Sequence, residues 1–193
     1  PRSEVSNRQG YRVVATLFRL IDSDIRAKAA WCYESRGPTA VVKALCTDGT
    51  AAMIWYRLMQ WARRWRIMPL ELVCNKANAV FCGCVIGRGA EFGPGFVLVH
   101  SNGVVINGSV RGGRDVKLEH QVTIGAEKRQ APVLGDDIFV GAGAKILGSI
   151  RVGDGARVGA NAVVLADVPA HSTVVGIPAR VVRQRVPDPT TPI

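Results

Sequence analysis

The chain has 193 residues, of which 48% are hydrophobic, and a formal net charge of +10. This length suits one domain of ordinary size or one domain with a smaller attachment, and the hydrophobic content excludes wholesale disorder. The sequence contains no run of about 18 apolar residues, so we expect no transmembrane helix. The charge predicts an anionic partner, but neither zinc-finger spacing nor an RNP-like aromatic motif supports nucleic acid.

The composition changes near residue 80. Eighteen of the 21 glycines fall between Gly83 and Gly176, whereas all four tryptophans and all five cysteines precede residue 85. We therefore expect an N-terminal helical segment at 1–79, a second architecture at 80–183 and a proline-rich tail at 184–193. The cysteines form no CxxC pair, which favours a reduced, cytoplasmic protein that binds no metal.

The sequence pattern of the N-terminal segment, residues 1–79, predicts helices. Apolar residues recur at helical spacing from Tyr11 to Trp31, a short segment follows from Val41 to Cys46, and a second long helix is predicted from Ala51 to Met68, ended by Pro69. This last stretch mixes aromatic residues with arginines, namely Trp55, Tyr56, Trp61 and Trp65 with Arg57, Arg63, Arg64 and Arg66. Two interpretations stay open. We favour a helix that packs under the second architecture or against other subunits; the alternative is a helix docked peripherally on the inner membrane face.

From residue 80 onward the sequence has a period of six. Aliphatic residues recur without a gap at Leu134, Val140, Ile146, Val152, Val158 and Val164. This period fits neither a helix nor an alternating strand, and it is typical of hexapeptide repeats in a parallel β-helix. Because three hexads make a coil of about 18 residues, residues 83–166 predict between four and five coils. A second row of valines from Val104 to Val122 is offset from the first and implies a small insertion near residues 99–105.

Over about residues 83–183 the chain resembles the serine acetyltransferase branch of the hexapeptide acyltransferases. The likeness rests on His100-Ser-Asn-Gly-Val-Val-Ile, Gly141-Ala-Gly-Ala-Lys-Ile-Leu-Gly and Val175-Gly-Ile-Pro-Ala-Arg-Val-Val. It implies a left-handed parallel β-helix that assembles as a homotrimer or a dimer of trimers. It also implies direct transfer of acetyl from acetyl-CoA to a hydroxyl, without a metal.

Two histidines are the candidate catalytic residues. By the resemblance, His100 takes the place of the family's general base, and an imidazole suits that role because it exchanges a proton near neutral pH. His120 follows one coil plus two residues later, so the small insertion would bring both histidines to one edge, about 5 Å apart. Either histidine could be the base, with the other binding the acceptor or polarising the thioester carbonyl.

The resemblance places the donor along the C-terminal coils, in a groove between subunits. Four small residues would offer backbone groups to the pantetheine arm, since a larger side chain there would block its approach: Gly141, Ala142, Gly159 and Ala160. The N–H of Gly125 would stabilise the oxyanion near the thioester. Four basic residues are candidates for the CoA phosphates: Lys145, Arg157, Arg180 and Arg183.

The acceptor is where the sequence departs from the family. Val85 and Val99 stand where serine acetyltransferases carry aspartates, and Ala131 falls in their serine-recognition segment, in a shortened loop. The chain shares Glu119-His120-Gln-Val-Thr-Ile-Gly with acetyltransferases of exopolysaccharide and capsule clusters, so we expect a saccharide hydroxyl as the acceptor. The alternatives are serine O-acetylation in cysteine biosynthesis and, in a different class, a non-catalytic hexapeptide scaffold or binding module.

Overall fold

The structure, a computed structural model, describes residues 2–127 and 130–184, with side chains from residue 16 onward. Within these residues the helices are α1 (Arg2–Tyr33), α2 (Pro38–Leu45), α3 (Thr50–Arg64) and α4 (Met68–Phe81). The strands are β1 (Val85–Ile86), β2 (Glu91–Phe92), β3 (Val97–Leu98), β4 (Val105–Ile106), β5 (Arg111–Gly112), β6 (Lys117–Leu118), β7 (Thr123–Gly125), β8 (Val133–Leu134), β9 (Phe139–Val140), β10 (Lys145–Leu147), β11 (Arg151–Val152), β12 (Arg157–Val158), β13 (Val163–Val164), β14 (Ser172–Val175) and β15 (Arg180–Gln184). Gln184 therefore belongs to a strand, and the rest of the predicted tail lies outside the described residues.

The strands wind into a parallel β-helix, as the six-residue period predicts. Three sheets form its faces: β1-β4-β7-β10-β13, β2-β5-β8-β11 and β3-β6-β9-β12-β14, with β15 added antiparallel to β14. From β1 to β13, paired strands are three apart along the chain, so each of these coils contributes one strand to each face. The five-stranded face agrees with the predicted number of coils.

The period of six has a direct cause in the packing. In most of the strands from β1 to β13 the second residue points into the prism, and on the first face these residues form a buried column: Ile86, Ile106, Ile124, Ile146 and Val164. Burial of such an aliphatic side chain contributes about 1.5–3 kcal/mol each. Most strands bury one aliphatic residue in this way, which is why the pattern repeats every six residues.

Two coils are longer than the others. Val85 pairs with Val105 and Thr123 with Lys145, spacings of 20 and 22 residues, whereas Lys145 pairs with Val163 at the regular 18. The first enlargement lies between β3 and β4, where the sequence predicts an insertion. The second is the loop between β7 and β8, which includes Ala131.

The N-terminal segment contains one helix more than the sequence predicts. The expectation that a helix runs to Met68 and ends at Pro69 is wrong, because α3 ends at Arg64 and α4 begins at Met68. Pro69 lies in the first turn of α4, where a missing backbone N–H leaves no helical hydrogen bond unmade. Pro69, which in the sequence looks like the end of one helix, therefore lies at the start of the next.

Helix α3 packs against the first coil, which is the interpretation we favoured. Met53 and Tyr56 are buried in the same hydrophobic core as Ile86 and Phe92. The Tyr56 hydroxyl donates to the Ala90 carbonyl at 3.2 Å and accepts the N–H of Phe92 at 3.0 Å. The apolar face of α3 is thus used inside the protein. No helix in the described ranges has both the length and the apolar character required to cross a membrane.

A buried ion pair fastens the helices to the β-helix. In the sequence Arg57 is one of four arginines in a stretch that also contains aromatic residues, but in the structure its side chain is 1% exposed and its Nε lies 2.6 Å from Asp24 Oδ2. Arg57 also donates to the carbonyl of Phe92, while Asp24 accepts the N–H groups of Gly95 and Phe96. The pair therefore joins α1, α3 and the first coil.

Candidate active site

The candidate residues come together along one edge of the prism, at the corners that follow β3, β6, β9 and β12. The strand register, continued two residues past each strand, stacks His100, His120, Ala142 and Ala160 on successive coils. Two bonds along the axis hold this stack: the N–H of Gly143 donates to the His120 carbonyl at 2.9 Å, and that of Asn161 to the Ala142 carbonyl at 2.8 Å. We call this stack the histidine edge.

The turns explain why these side chains face outward. A residue with positive φ follows each of the last three members of the histidine edge, His120, Ala142 and Ala160. These residues are Gln121 at 58°, Gly143 at 73° and Asn161 at 56°. A left-handed residue turns the chain sharply at the corner. His120 and Ala160 are consequently exposed, and Ala142 is half-buried.

The two histidines lie next to each other, as the sequence predicts. Their ring centroids are 6.0 Å apart with the planes at 73°, and their side chains are 52% and 46% exposed for His100 and His120. Both imidazoles are therefore within reach of one small acceptor in solution.

A carboxylate that the sequence does not reveal contacts His100. The Nδ1 of His100 lies 3.1 Å from Oδ2 of Asp48, which belongs to the turn between α2 and α3. The carboxylate of Glu119, the neighbour of His120 in the sequence, lies 3.8 Å from Nδ1 of His120, beyond hydrogen-bonding distance. The hydrogen-bonded carboxylate thus distinguishes the two histidines. Asp48 is 52 residues from His100 in the chain and lies outside the repeat, so no spacing points to it.

The turn that carries His100 is anchored by the end of α4. The buried Ser101 hydroxyl donates to the Cys82 carbonyl at 2.8 Å, and the N–H of Gly103 donates to the Gly83 carbonyl at 2.8 Å. These bonds hold the enlarged corner between β3 and β4. The insertion that brings the histidines into register is therefore supported by the helical segment.

Two of the glycines predicted to bind the donor are also required by the packing of the coils. A Cβ on Gly141 would lie 2.7 Å from the backbone nitrogen of Ala160, and one on Gly159 would lie 2.6 Å from Cγ1 of Val175. Such contacts are too short for any side chain, so the stacking of the coils itself requires glycine here. The small residues nevertheless leave the lower half of the histidine edge without bulky side chains.

Of the basic residues, Lys145 and Arg180 lie near the histidine edge. The Lys145 ammonium donates to the Gln121 carbonyl at 2.7 Å, and Arg180 follows Ala179, whose N–H donates to Val163 at 2.8 Å. Arg157 is engaged elsewhere, with its guanidinium 6.0 Å from the centre of the Trp31 ring. The edge therefore carries positive charge close to its small residues.

Gly125 lies inside a strand rather than at a corner. It is the last residue of β7 and pairs with Leu147 of β10. In a parallel ladder the N–H groups point along the sheet toward the neighbouring strand.

Across the described part of the chain, no three His, Cys, Asp or Glu side chains are grouped as ligands of a metal ion.

Comparison with known proteins agrees with this geometry. Residues 131–166 match the family model "Bacterial transferase hexapeptide (six repeats)". The serine acetyltransferase of Mycobacterium tuberculosis is 35% identical over 173 residues, which cover 88% of this chain and 75% of that protein. A serine acetyltransferase solved in complex with CoA superposes with a TM-score of 0.78 at 30% identity, covering 91% of this chain and 73% of that one.

A third relative was solved with serine bound. The crystal structure of Neisseria gonorrhoeae serine acetyltransferase in complex with serine superposes with a TM-score of 0.77 at 28% identity, covering 86% of this chain and 69% of that one. These likenesses extend over the helices as well as the coils, since they cover far more than the repeat alone. The chain belongs to the serine acetyltransferase family of hexapeptide-repeat transferases, and it is an acyltransferase.

Proposed function

We propose that this protein transfers the acetyl group of acetyl-CoA to the hydroxyl of serine. The observation that carries the proposal is the histidine edge, where two exposed imidazoles stand directly above the small residues Ala142 and Ala160. The candidate base and the surface that would accommodate the narrow pantetheine arm of CoA therefore lie along the same edge. The relatives in complex with CoA and with serine support the same pair of substrates.

In this proposal His100 is the general base. Its Nε2 takes the proton of the serine hydroxyl while the oxygen attacks the thioester carbon, which gives a tetrahedral intermediate. The C–S bond then breaks, the CoA sulfur leaves, and the proton held by His100 passes to it. His120 binds the acceptor or polarises the thioester carbonyl. Gly125 is not given the oxyanion role that the resemblance implies, because it lies in the ladder between β7 and β10, where N–H groups point along the sheet.

The donor lies along the lower half of the histidine edge. Ala142 and Ala160, with Gly141 and Gly159 behind them, admit the pantetheine arm, and Lys145 and Arg180 bind the phosphates through charge-assisted hydrogen bonds. We further propose a homotrimer, or a dimer of trimers, in which a neighbouring chain completes this groove. These roles account for part of the net charge of +10.

Serine replaces the saccharide that the sequence led us to expect. That expectation rests on Val85, Val99 and Ala131, which lack the charges that recognise serine, and none of the comparisons supports a saccharide acceptor. The structure places the carboxylates of Asp48 and Glu119 beside the histidines. Their negative charge favours an acceptor that carries an ammonium group, as serine does.

Thiol release from acetyl-CoA tests the proposal. The purified protein is assayed with serine, with nucleotide sugars and with polysaccharide fragments, each at the same hydroxyl concentration. Saturable release that requires serine supports the proposal, and release that requires only a saccharide overturns it. N-Acetylserine, which keeps the hydroxyl but lacks the ammonium, is the matched control, and we expect it to be a poor acceptor.

A further inference from the structure

We propose that Asp48 is the positioning residue of His100. Its carboxylate accepts the Nδ1–H of the imidazole, so that the Nε2 lone pair is free to take the acceptor's proton. For its effect on the reaction this inference rests on the proposed acetyl transfer, whereas the geometry of the pair can be tested without any turnover.

The contact itself determines where the proton lies. An ionised carboxylate can only accept hydrogen bonds, so at 3.1 Å from Oδ2 of Asp48 the neutral imidazole of His100 carries its proton on Nδ1. A histidine base needs its second nitrogen unprotonated toward the substrate, and the bond at the first nitrogen decides this. The carboxylate therefore selects the reactive tautomer.

The β-helix has no carboxylate at Val85, where the resemblance to serine acetyltransferases leads us to expect an aspartate. Val85, the residue at that position, lies in β1 and pairs with Val105. Its side chain has no hydrogen-bonding atom. The carboxylate reaches His100 from the helical segment instead.

Gly49 brings the Asp48 turn into contact with the strand that leads to His100. Its φ is 77°, and a Cβ at this position would clash with the carbonyl oxygen of Leu98, the last residue of β3. The turn thus lies directly on the backbone two residues before His100. Both the backbone angle and the close approach require glycine.

A buried lysine holds the same turn from the other side. Lys28 of α1 is 0% exposed, and its ammonium donates to the carbonyl of Asp48. The hydroxyls of Thr47 and Thr50 both donate to the Ala44 carbonyl, at 2.8 and 2.6 Å, which ties the turn to α2. The backbone of Asp48 is therefore fixed although its side chain is 74% exposed. A solvated surface carboxylate does not require a backbone fixed in this way, and an exposed ion pair adds little stability. The role that remains for Asp48 is to orient the imidazole of His100.

Nitrogen NMR of the full chain labelled with ¹⁵N-histidine tests the geometry. The chain has three histidines, so the His100 signals can be assigned by their loss in His100→Ala. At a pH where the imidazoles are neutral, we expect the Nδ1–H tautomer at His100 in the wild type and a shift toward Nε2–H in Asp48→Ala. Gly49→Ala, which keeps the carboxylate but displaces the turn, should give the same shift. Asp22→Asn, an exposed aspartate on α1, is the control and should leave the signals unchanged.

Kinetics test the consequence for the reaction. We expect Asp48→Ala to lower kcat for serine-dependent thiol release by about 10- to 100-fold with the KM for acetyl-CoA unchanged, and Asp48→Glu to recover part of that loss. An unchanged tautomer in Asp48→Ala, or an unchanged kcat, would overturn the positioning role. If serine is not the acceptor, the wild type itself shows no serine-dependent release, while the NMR result still decides whether Asp48 orients His100.

Discussion

The imidazole of His100 faces that of His120 across 6.0 Å on consecutive coils, yet the two rings have different partners. Asp48 lies within hydrogen-bonding distance of His100, whereas the Glu119 carboxylate is 3.8 Å from His120. One histidine is thus oriented by a carboxylate and the other is free to adjust to a ligand. This difference assigns the base to His100 in the proposed mechanism.

Replacing the histidines one at a time should separate their roles. We expect His100→Ala to lower kcat by about 10²- to 10⁴-fold, the usual contribution of a general base. His120→Ala should lower kcat/KM for the acceptor by a smaller factor, roughly tenfold, equivalent to ~1.4 kcal/mol of binding. Thiol release measures both.

His171→Ala is the control for these variants, because His171 is exposed on another corner of the prism. It should retain wild-type activity. A folded His100→Ala protein with full activity would exclude His100 as the base.

A side chain added at Ala160 should obstruct the donor. Ala160 is exposed on the histidine edge, and we expect Ala160→Leu to raise the KM for acetyl-CoA by about tenfold, or ~1.4 kcal/mol, with a smaller effect on the KM for serine. Ala166→Leu makes the same change at an exposed position after β13, on a different edge. Equal KM values for the two variants would show that the donor does not pass Ala160.

Removing the buried carboxylate of Asp24 should loosen the helices from the β-helix. Asp24→Ala leaves the Arg57 guanidinium unpaired in a site where both side chains are 1% exposed. The loss of a buried partner typically costs 3–5 kcal/mol, so we expect about that decrease in the free energy of unfolding. Urea titration at one fixed protein concentration measures it.

Two further variants make the Asp24 test specific. Asp22→Ala removes a 58% exposed carboxylate from the same helix and should cost well under ~1 kcal/mol. Adding Arg57→Met to Asp24→Ala should recover part of the loss, because the uncompensated charge is removed. A similar cost for Asp22→Ala and Asp24→Ala would mean that the ion pair is not what joins these elements.

Stability should depend on pH through Lys28. Burial lowers the pKa of the Lys28 ammonium from 10.5 to about 8, although the nearby Cys32 and Asp48 oppose the shift. Between these pH values the unfolded chain binds a proton that the folded chain does not, so the free energy of unfolding rises as pH increases from about 8. The full rise is roughly 3 kcal/mol and is complete near the unfolded pKa.

The difference between wild type and Lys28→Met isolates this effect. Burial also raises the pKa of the Cys84 thiol to about 12, which lowers stability with increasing pH, but this contribution is common to both proteins and cancels. Urea titrations from pH 7 to 10 should show the wild type gaining stability relative to Lys28→Met. A difference that stays constant over this range would contradict a buried Lys28 charge.

The parts of the fold that follow a repeat could be predicted from the sequence. Most strands place one aliphatic residue in the interior, so the period predicts the coils, and the offset valine row predicts the insertion that aligns His100 with His120. The resemblance added the small residues Ala142 and Ala160, which the structure stacks on the same edge.

The parts that depend on contacts between distant segments could not be predicted. Asp48 reaches His100 because Gly49 and Lys28 fix a turn of the helical segment against β3, and no periodicity encodes that docking. Arg57 reads as one basic residue among several, and only its approach to Asp24, 33 residues earlier, reveals a buried pair. Helix α4 was missed because a proline in a first turn looks the same in sequence as a proline that ends a helix.

The most direct test of the account is the identity of the acetylated product. The wild type and His100→Ala are incubated with acetyl-CoA and serine, and the products are identified by mass spectrometry while thiol release is followed. We expect the wild type to form O-acetylserine in a one-to-one ratio with the released thiol and His100→Ala to form almost none. Thiol release by the wild type that is independent of serine, or O-acetylserine formation that is undiminished in His100→Ala, would contradict it.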